Sequence, residues 1–292
     1  MALAPEDEAP LRQLLHVLDP LPPPWADWLA GEGSGWTGWA RVDPALLQWE
    51  LHRQPLDPLT QVTGLFQGRG TVLAGELAAG TWSPVPPGAD RVGLAPQVAV
   101  NLGDPPLTDP LPLYAPLRQP LPNSPHYGEH LLDHSRRLVL GQRGLTVVLI
   151  DDPVLRRGLT SGLAAEFGSR VTHQSTAPES HGVICAGWDW WLEHQRRLPL
   201  PCQVVVALLP IASLEDPLTA SRVAELRRQG RDWFRELLLP DALNRLQRSL
   251  AGLRRAGGRL AILDGRLRGR SWGRQVMAAL QPSVPLTRLL PD

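Results

Sequence analysis

The sequence predicts an α/β protein in which helices cover both faces of a parallel sheet. Three observations predict this fold: apolar runs without polar alternation, helical segments between successive runs, and turn residues that close each run. The apolar runs lie at residues 145–150, 182–186, 203–209 and 259–263. The helical segments lie at residues 126–140, 154–167, 217–230 and 241–255. Because a strand that is buried on both sides needs no polar face, we expect this sheet to lie between two layers of helices.

The first 65 residues differ from the rest, and we predict that they form a Pro/Trp-rich N-terminal segment ahead of an α/β domain at 66–292. Five tryptophans fall in this segment: Trp25, Trp28, Trp36, Trp39 and Trp49. A helix is expected at 11–19, where Pro20 ends it. A Gly-x-Gly-x-x-Gly run at 33–38 follows no strand, which favours a turn over a dinucleotide site. Short strands are expected at 71–74, 97–102 and 111–115.

All of the basic residues are arginine, because the 292-residue chain contains no lysine. This excludes a phosphate-binding loop of the G-x-x-x-x-G-K-[ST] type, a Schiff-base lysine and an S-x-x-K acylating serine. The net charge of zero conceals an asymmetry, since residues 1–120 hold 6 Arg against 13 Asp and Glu. Residues 222–274 hold 14 Arg and 5 acids. Such a stretch is typical of a surface that attracts phosphate backbones, or of an amphipathic helical surface in water.

Cysteine usage and hydropathy indicate a cytoplasmic location. Cys185 and Cys202 are the only cysteines, and they form no C-x-x-C pair of the kind that binds zinc or carries redox chemistry. So few cysteines favour a reducing compartment. The N-terminus is acidic and no apolar run approaches ~18 residues, so we expect neither a signal peptide nor a membrane span.

Two groups of polar side chains are candidates for chemistry. His126, His130 and His134 recur at every fourth residue and would share one helix face, which suits zinc binding or a partly protonated polar face. Asp151 and Asp152 follow the first apolar run and would suit a metal or a ribose, although Asp152 before a proline is typical of a helix N-cap. The favoured interpretation assigns no metal ligand.

Three tryptophans follow the second apolar run, within residues 187–193. In a parallel sheet, functional loops follow the carboxyl ends of the strands. The pattern therefore suits a functional loop, or a hydrophobic plug beneath a neighbouring helix.

The order of several short motifs resembles that of a known helicase family. The clearest are L-P-I at 209–211, E-D-P-L at 215–218, L-P-D-A at 239–242 and L-D-x-R at 263–266. From about residue 12 onwards, the succession is similar to the C-terminal half of a DinG/XPD-type superfamily-2 DNA helicase. The family's Q-G-x-G-R-x-x-R motif falls on 248–255, where only the final arginine is kept, as Arg255. A slip of one residue would use Gln247 and Arg254 instead.

Other family motifs match more loosely or have no counterpart. The segment at 49–57 is similar to the one that precedes the family's T-S-A-T-L motif, which would fall on 73–77 without its hydroxyls. Trp191 is kept from the family's S-F-W-E-G-V-D motif. The phosphate loop, the D-E-A-H box and the four iron–sulfur cysteines have no counterpart in this sequence.

The resemblance implies a RecA-like sheet of the P-loop NTPase type, which binds single-stranded or duplex DNA. It implies that ATP and Mg²⁺ bind only at an interface with a separate ATPase half, that no cofactor is tightly bound, and that there is no iron–sulfur cluster. Arg255 and Arg254 would be the catalytic arginines. The residues near ATP would be Asp189, Trp191, Gln247 and Asp264. The residues near DNA would be Asp151, Asp152, Arg156, Arg157 and Arg266.

The function expected from this resemblance is that of a helicase-derived domain that does not hydrolyse ATP alone. Two alternatives stay open at this point. A non-catalytic descendant used for protein interaction would expose Trp188, Trp190 and Trp191 as a patch. A metal-dependent hydrolase would bring His126, His130, His134 and Asp151 together.

Overall fold

A computed structural model describes residues 13, 17, 35–43, 48–58, 63–66, 68–70 and 109–287. Contacts divide the chain into two units, Met1–Asn101 with Ala212–Leu239, and Leu102–Ile211 with Pro240–Asp292. The strands predicted at 71–74 and 97–102 lie outside the described residues, as does most of the helix predicted at 11–19. The predicted boundary at residue 65 stays a prediction.

The described residues form nine strands and eight α-helices. The strands are β1 (Trp36–Asp43), β2 (Gln48–Pro55), β3 (Leu111–Tyr114), β4 (Thr146–Leu149), β5 (Val171–His173), β6 (Val183–Ala186), β7 (Gln203–Val206), β8 (Arg259–Ile262) and β9 (Ser283–Pro285). The helices are α1 (Thr63–Phe66), α2 (Tyr127–Val139), α3 (Pro153–Phe167), α4 (Trp188–His194), α5 (Pro217–Arg228), α6 (Leu239–Arg255), α7 (Arg266–Gly269) and α8 (Gly273–Ala279). Short 3₁₀ turns lie at Gly168–Arg170 and Gln195–Arg197, and a π-helical segment lies at Phe234–Leu238.

The larger unit is built on a seven-stranded sheet in the order β5-β6-β4-β7-β8-β3-β9. Every neighbouring pair is parallel. Successive strand residues alternate between two apolar cores, as Val147 and Val148 do. Helices α4, α6 and α8 contribute to one core, and α2 and α3 contribute to the other. The predicted parallel sheet with helices on both faces is confirmed, and it is consistent with a RecA-like domain.

Two aspartates set the start of two helices. The Asp152 carboxylate accepts hydrogen bonds from the backbone N–H of Val154 at 2.9 Å and of Leu155 at 2.8 Å. Asp216 accepts one from Thr219 N at 2.8 Å. In each case a proline occupies the first helical turn. A backbone N–H at that position would have no partner within the helix, so the proline costs no hydrogen bond. The N-cap predicted at Asp152 is confirmed.

In the smaller unit, β1 and β2 form an antiparallel hairpin that contacts α5. The Thr37 and Ser221 hydroxyls lie 2.6 Å apart, and Arg222 Nε donates to Leu56 O at 3.0 Å. The Gly-x-Gly-x-x-Gly run passes through Gly35 at a φ of +98° and enters a strand. A Gly-x-Gly-x-x-Gly run that binds a dinucleotide opens a helix, so this run is not a dinucleotide-binding motif.

Two histidines connect α2 to β3 in the larger unit. His134 Nδ1 lies 3.1 Å from the Tyr114 hydroxyl, and the His130 and His134 ring centroids are 4.4 Å apart. Burial lowers the pKa of His130 and of His134; for His130 the second cause is His134 itself. Asp133 opposes both shifts. The pair is therefore held in its neutral form by packing.

We expect the free energy of unfolding to fall as the pH drops below about 6.5. Since the two histidine pKa values are lower in the folded protein, the unfolded chain binds more protons in that range. The contribution of the two histidines to the free energy of unfolding is fully present above their pKa in the unfolded chain. It is lost as the pH falls through their lower pKa values in the folded protein. Urea unfolding near pH 5.5 and near pH 7.5 measures the difference, which should shrink in His130→Gln/His134→Gln. His126→Gln, at the exposed N-cap of the same helix, is the control; equal pH dependence in all three proteins would contradict the prediction.

Candidate functional site

Parallel strands bring four chain segments to one end of the sheet, which we call the carboxyl end. There β4 leads into Asp151, β6 into Gly187, β7 into residues 207–210 and β8 into Asp264. Crevices at this end are where α/β sheets bind ligands. The described helices include none long and apolar enough to cross a membrane.

An arginine of α6 joins two of these segments. Arg245 Nη1 lies 3.5 Å from Asp151 Oδ2, and its other terminal nitrogen pairs with Asp189. The Arg245 side chain is only 14% exposed, whereas that of Asp189 is 88% exposed. Asp151 Oδ1 also accepts a hydrogen bond from Trp188 N at 2.9 Å. These residues form the Arg245 cluster, which consists of Asp151, Asp189 and Arg245.

Burial raises the pKa of Asp151, and the Trp188 N–H and the Arg245 guanidinium act in the opposite direction. The backbone at the end of β6 lies close to the side chains that follow β4, since a Cβ at Gly187 would lie 3.1 Å from Arg156 Nη1 and 3.5 Å from Asp151 Oδ1. Two carboxylates already engage Arg245. An anionic ligand would therefore have to displace the exposed Asp189 to reach this guanidinium.

A second arginine–carboxylate pair lies at the ends of β7 and β8. Asp264 is fully buried and accepts hydrogen bonds from Leu209 N at 2.8 Å and from Arg266 N at 2.9 Å. The Arg266 guanidinium binds the same carboxylate at 2.6 Å and donates to Leu209 O at 3.1 Å. Each oxygen of the carboxylate has a partner, so Asp264 acts as a structural anchor.

Tyr127 extends this anchor to the helix layer. Its hydroxyl donates to Ala207 O. Burial, and then the negative charge of Asp264, raise the pKa of Tyr127, so its hydroxyl stays protonated and continues to donate.

Most of the residues predicted to contact DNA already have protein partners. The Asp152 carboxylate caps α3. Arg156 donates to Ile150 O at 2.7 Å and to His173 Nε2 at 3.1 Å. Arg157 is exposed on α3. Together with Asp151 and Arg266, these side chains all lie near the carboxyl end, but they follow β4 and β8, which β7 separates.

The predicted catalytic arginines lie at the opposite, amino end of the sheet. Arg254 and Arg255 end α6, which places them about 14 Å along the helix from Arg245. Arg254 donates to Leu280 O at 2.6 Å and to Pro282 O at 3.4 Å, and burial lowers its pKa. Arg255 is exposed.

The residues predicted to lie near ATP are divided between separate places. Asp189 and Asp264 are at the carboxyl end, in the two ion pairs described above. Gln247 donates to Ala279 O at 3.3 Å, and the Trp191 indole N–H donates to Ser249 O at 3.1 Å from within the core. Asp189 and Trp191 lie on α4, Gln247 lies on α6 and Asp264 follows β8, and the bonds named here join none of the four to another.

The expectation of an exposed tryptophan patch is wrong. Trp188 and Trp191 are 0% and 1% exposed, and Trp190 packs against the same core. The Trp188 indole N–H donates to Leu208 O at 3.0 Å, so burial leaves no donor unsatisfied. The three residues form a hydrophobic plug beneath α6, the other interpretation of this segment.

The convergence required of a His-dependent hydrolase is also absent. His130 and His134 touch each other and Tyr114, but the exposed His126 faces Glu129. Asp151 lies at the end of β4, and β7 and β8 separate β4 from the β3 strand that carries Tyr114. Among the described residues there is no group of three His, Cys, Asp or Glu side chains able to hold a metal ion.

Sequence reasoning did not single out Arg245, the residue that organises the Arg245 cluster. The signal was available: Arg245 follows the L-P-D-A motif, on a helix antiparallel to the strands, about two turns from its start. A residue early in such a helix lies at the carboxyl end of the sheet.

The chain is related to a DNA helicase. It is 39% identical to the ATP-dependent DNA helicase YoaA of Escherichia coli (strain K12) over 182 residues, or 58% of this chain and 28% of the relative. It is 29% identical to the ATP-dependent DNA helicase YoaA of Haemophilus influenzae (strain ATCC 51907 / DSM 11121 / KW20 / Rd) over 113 residues, or 38% of this chain and 18% of the relative. The chain thus spans less than a third of either relative. No family model matches the chain.

We expect Asp264→Asn to lower the free energy of unfolding by about 3 kcal/mol, because it leaves the part-buried Arg266 without its counterion. Asp189→Asn is the matched control: its carboxylate is 88% exposed, so its pair with Arg245 should contribute less than about 1 kcal/mol. Urea unfolding of both variants measures the two effects. Equal losses in the two variants would contradict the assignment of Asp264 as the anchor.

Proposed function

We propose that this chain is a DNA-binding protein derived from the C-terminal RecA-like half of a DinG-type helicase, and that it does not hydrolyse ATP on its own. The observation that carries the proposal is its similarity to a DNA helicase in a sequence that contains no lysine. The parallel sheet supports the proposal, since its topology agrees with a RecA-like domain.

The absence of hydrolysis follows from the chemistry of phosphoryl transfer. A P-loop lysine and a carboxylate-held Mg²⁺ neutralise the charge that develops on the transferred phosphoryl group. The 292 residues supply no lysine, and arginine cannot replace it within the compact P-loop without a change in geometry. Any ATP bound here would need these groups from another polypeptide.

Under this proposal, Arg255 acts in trans on an ATP molecule held by a separate ATPase half. Its exposure at the end of α6 leaves the guanidinium accessible to a partner. Arg254 has a different role, because its bonds to the carbonyls of Leu280 and Pro282 fix the end of α6. Arg254 would therefore position Arg255 and would not touch the nucleotide.

We expect the purified chain to bind single-stranded DNA at low salt, with an affinity that falls steeply as the salt concentration rises. Fluorescence anisotropy of a labelled oligonucleotide measures both properties. A duplex of the same sequence shows which form is preferred. Absence of binding to either form at low salt would remove the DNA-binding proposal.

We expect the chain alone to leave ATP intact, with or without DNA. If a lysine-containing ATPase half is recovered by pull-down, Arg255→Ala should lower the turnover of the complex by about 10³-fold or more, as for other arginine fingers. Arg248→Ala, an exposed arginine two turns earlier on the same helix, is the control. Turnover that is insensitive to Arg255→Ala would exclude this residue from the role.

A further inference from the structure

A cluster of arginines lies on the far side of the carboxyl end from the Arg245 cluster. Arg118 follows β3, and Arg268, Arg270 and Arg274 follow β8. Because β3 and β8 are parallel neighbours, these segments leave the sheet side by side. All four arginines are exposed. We call them the β3–β8 arginine surface.

Two adjoining pockets underlie this surface. One, of about 480 Å³, is lined by Arg268, Arg270, Ser271 and Arg274, among others. The other, of about 590 Å³, is lined by Arg118, Gln119 and Arg268. Arg268 and Gly269 line both pockets, so the two are neighbours, and we call them together the track.

The chain segments that carry these arginines contain no carboxylate of their own. Residues 110–128 and 265–287 contain no Asp or Glu. Among the described residues, Arg270 and Arg274 have no ion-pair partner, whereas Arg245 and Arg266 each have at least one. Guanidinium groups that repel one another without compensation favour a polyanion as the ligand.

The backbone that carries these arginines is held firmly. A Cβ at Gly265 would lie 2.4 Å from Pro120 O, and one at Gly273 would lie 1.8 Å from Leu267 O. Leu267 is buried between them, and Arg268 Nη2 donates to Ala115 O at 3.2 Å. Arg268 and Arg274 therefore lie on the short helices α7 and α8, and Arg270 lies between them, on a closely packed backbone. Less entropy is lost when a ligand orders side chains on such a backbone.

Gln119 adds a polar group of another kind to the track. Its amide nitrogen donates to Pro116 O at 3.0 Å, while its Oε1 atom is buried without a hydrogen-bond partner among the described residues. An unpartnered acceptor does not suit a bare phosphate. It suits a base amino group or a sugar hydroxyl beside the phosphates.

We infer that the β3–β8 arginine surface binds the phosphodiester backbone of a single nucleic-acid strand, with Arg118, Arg268, Arg270 and Arg274 on successive phosphates. The inference rests on the proposed function, because it assigns the surface by which the chain engages DNA. This surface differs from the one expected near β4, where Asp152 caps α3 and Arg156 donates to Ile150 O. The proposed surface includes one bond of this kind, from Arg268 to Ala115 O.

The test uses the full chain and a fluorescein-labelled oligodeoxycytidylate, whose bases carry amino groups, with anisotropy measured over a range of chloride concentrations. The variant is Arg270→Gln/Arg274→Gln, and the matched control is Arg196→Gln/Arg197→Gln, an exposed pair near the amino end of β7. We expect the variant to bind at least about tenfold more weakly, with a log–log salt slope shallower by about 1.4, or 0.7 per contact. The control should change affinity less than about twofold.

The outcomes separate the inference from the proposed function. Wild-type protein that binds no oligonucleotide overturns both, whereas equal affinities of the variant and the control overturn the inference alone. If Arg270→Gln/Arg274→Gln fails to fold by circular dichroism, Arg118→Gln/Arg268→Gln carries the same expectation. A further outcome would also contradict the inference: inorganic phosphate displaces the oligonucleotide far better than chloride does at equal ionic strength. The surface would then bind single phosphate ions and not a nucleic-acid strand.

Discussion

The buried pair between Asp264 and Arg266 fixes the ends of β7 and β8 relative to one another, and the arrangement of the carboxyl end depends on it. The carboxylate receives the Leu209 N–H from one strand end and the Arg266 N–H and guanidinium from the other. A buried carboxylate is tolerated only when its oxygens are satisfied in this way. The chain that continues from Arg266 therefore leaves the sheet in one direction, beside the end of β3.

Helix α6 imposes the second constraint. It runs antiparallel to the strands, so its first half brings Arg245 to the carboxyl end and its last turn brings Arg255 to the amino end. The plug of Trp188 and Trp191 holds this helix against the sheet, because the Trp191 indole bonds Ser249 O in the middle of α6. One helix thus carries two arginines whose surroundings differ: Arg245 has two carboxylate partners, and Arg255 is exposed at a helix end.

The sheet was predictable because its signals are local. Apolar runs such as 203–209 indicate strands that are buried on both faces, and the aspartate before a proline at 152–153 indicates a helix start because a helical apolar pattern follows it. The candidate site was less predictable, because ion-pair partners are set by tertiary approach. Nothing in the sequence spacing says that Arg245 meets Asp151, 94 positions earlier, or that Trp188 turns inward. The excess of arginine at 222–274 was visible in the sequence. Only the strand order, however, shows which of these arginines form internal ion pairs and which are exposed.

Charge is segregated along the carboxyl end, and this bears on how a strand would lie there. At β4 and β6, Asp151 and Asp189 both engage Arg245, so a phosphate that approached this guanidinium would meet carboxylates first. At β8 and β3 the exposed arginines have no acid among their sequence neighbours. A polyanion lowers its energy by lying over the second region and avoiding the first. If a strand binds as inferred, the carboxylates of the Arg245 cluster would keep it on the β3–β8 side of the sheet, because like charges repel.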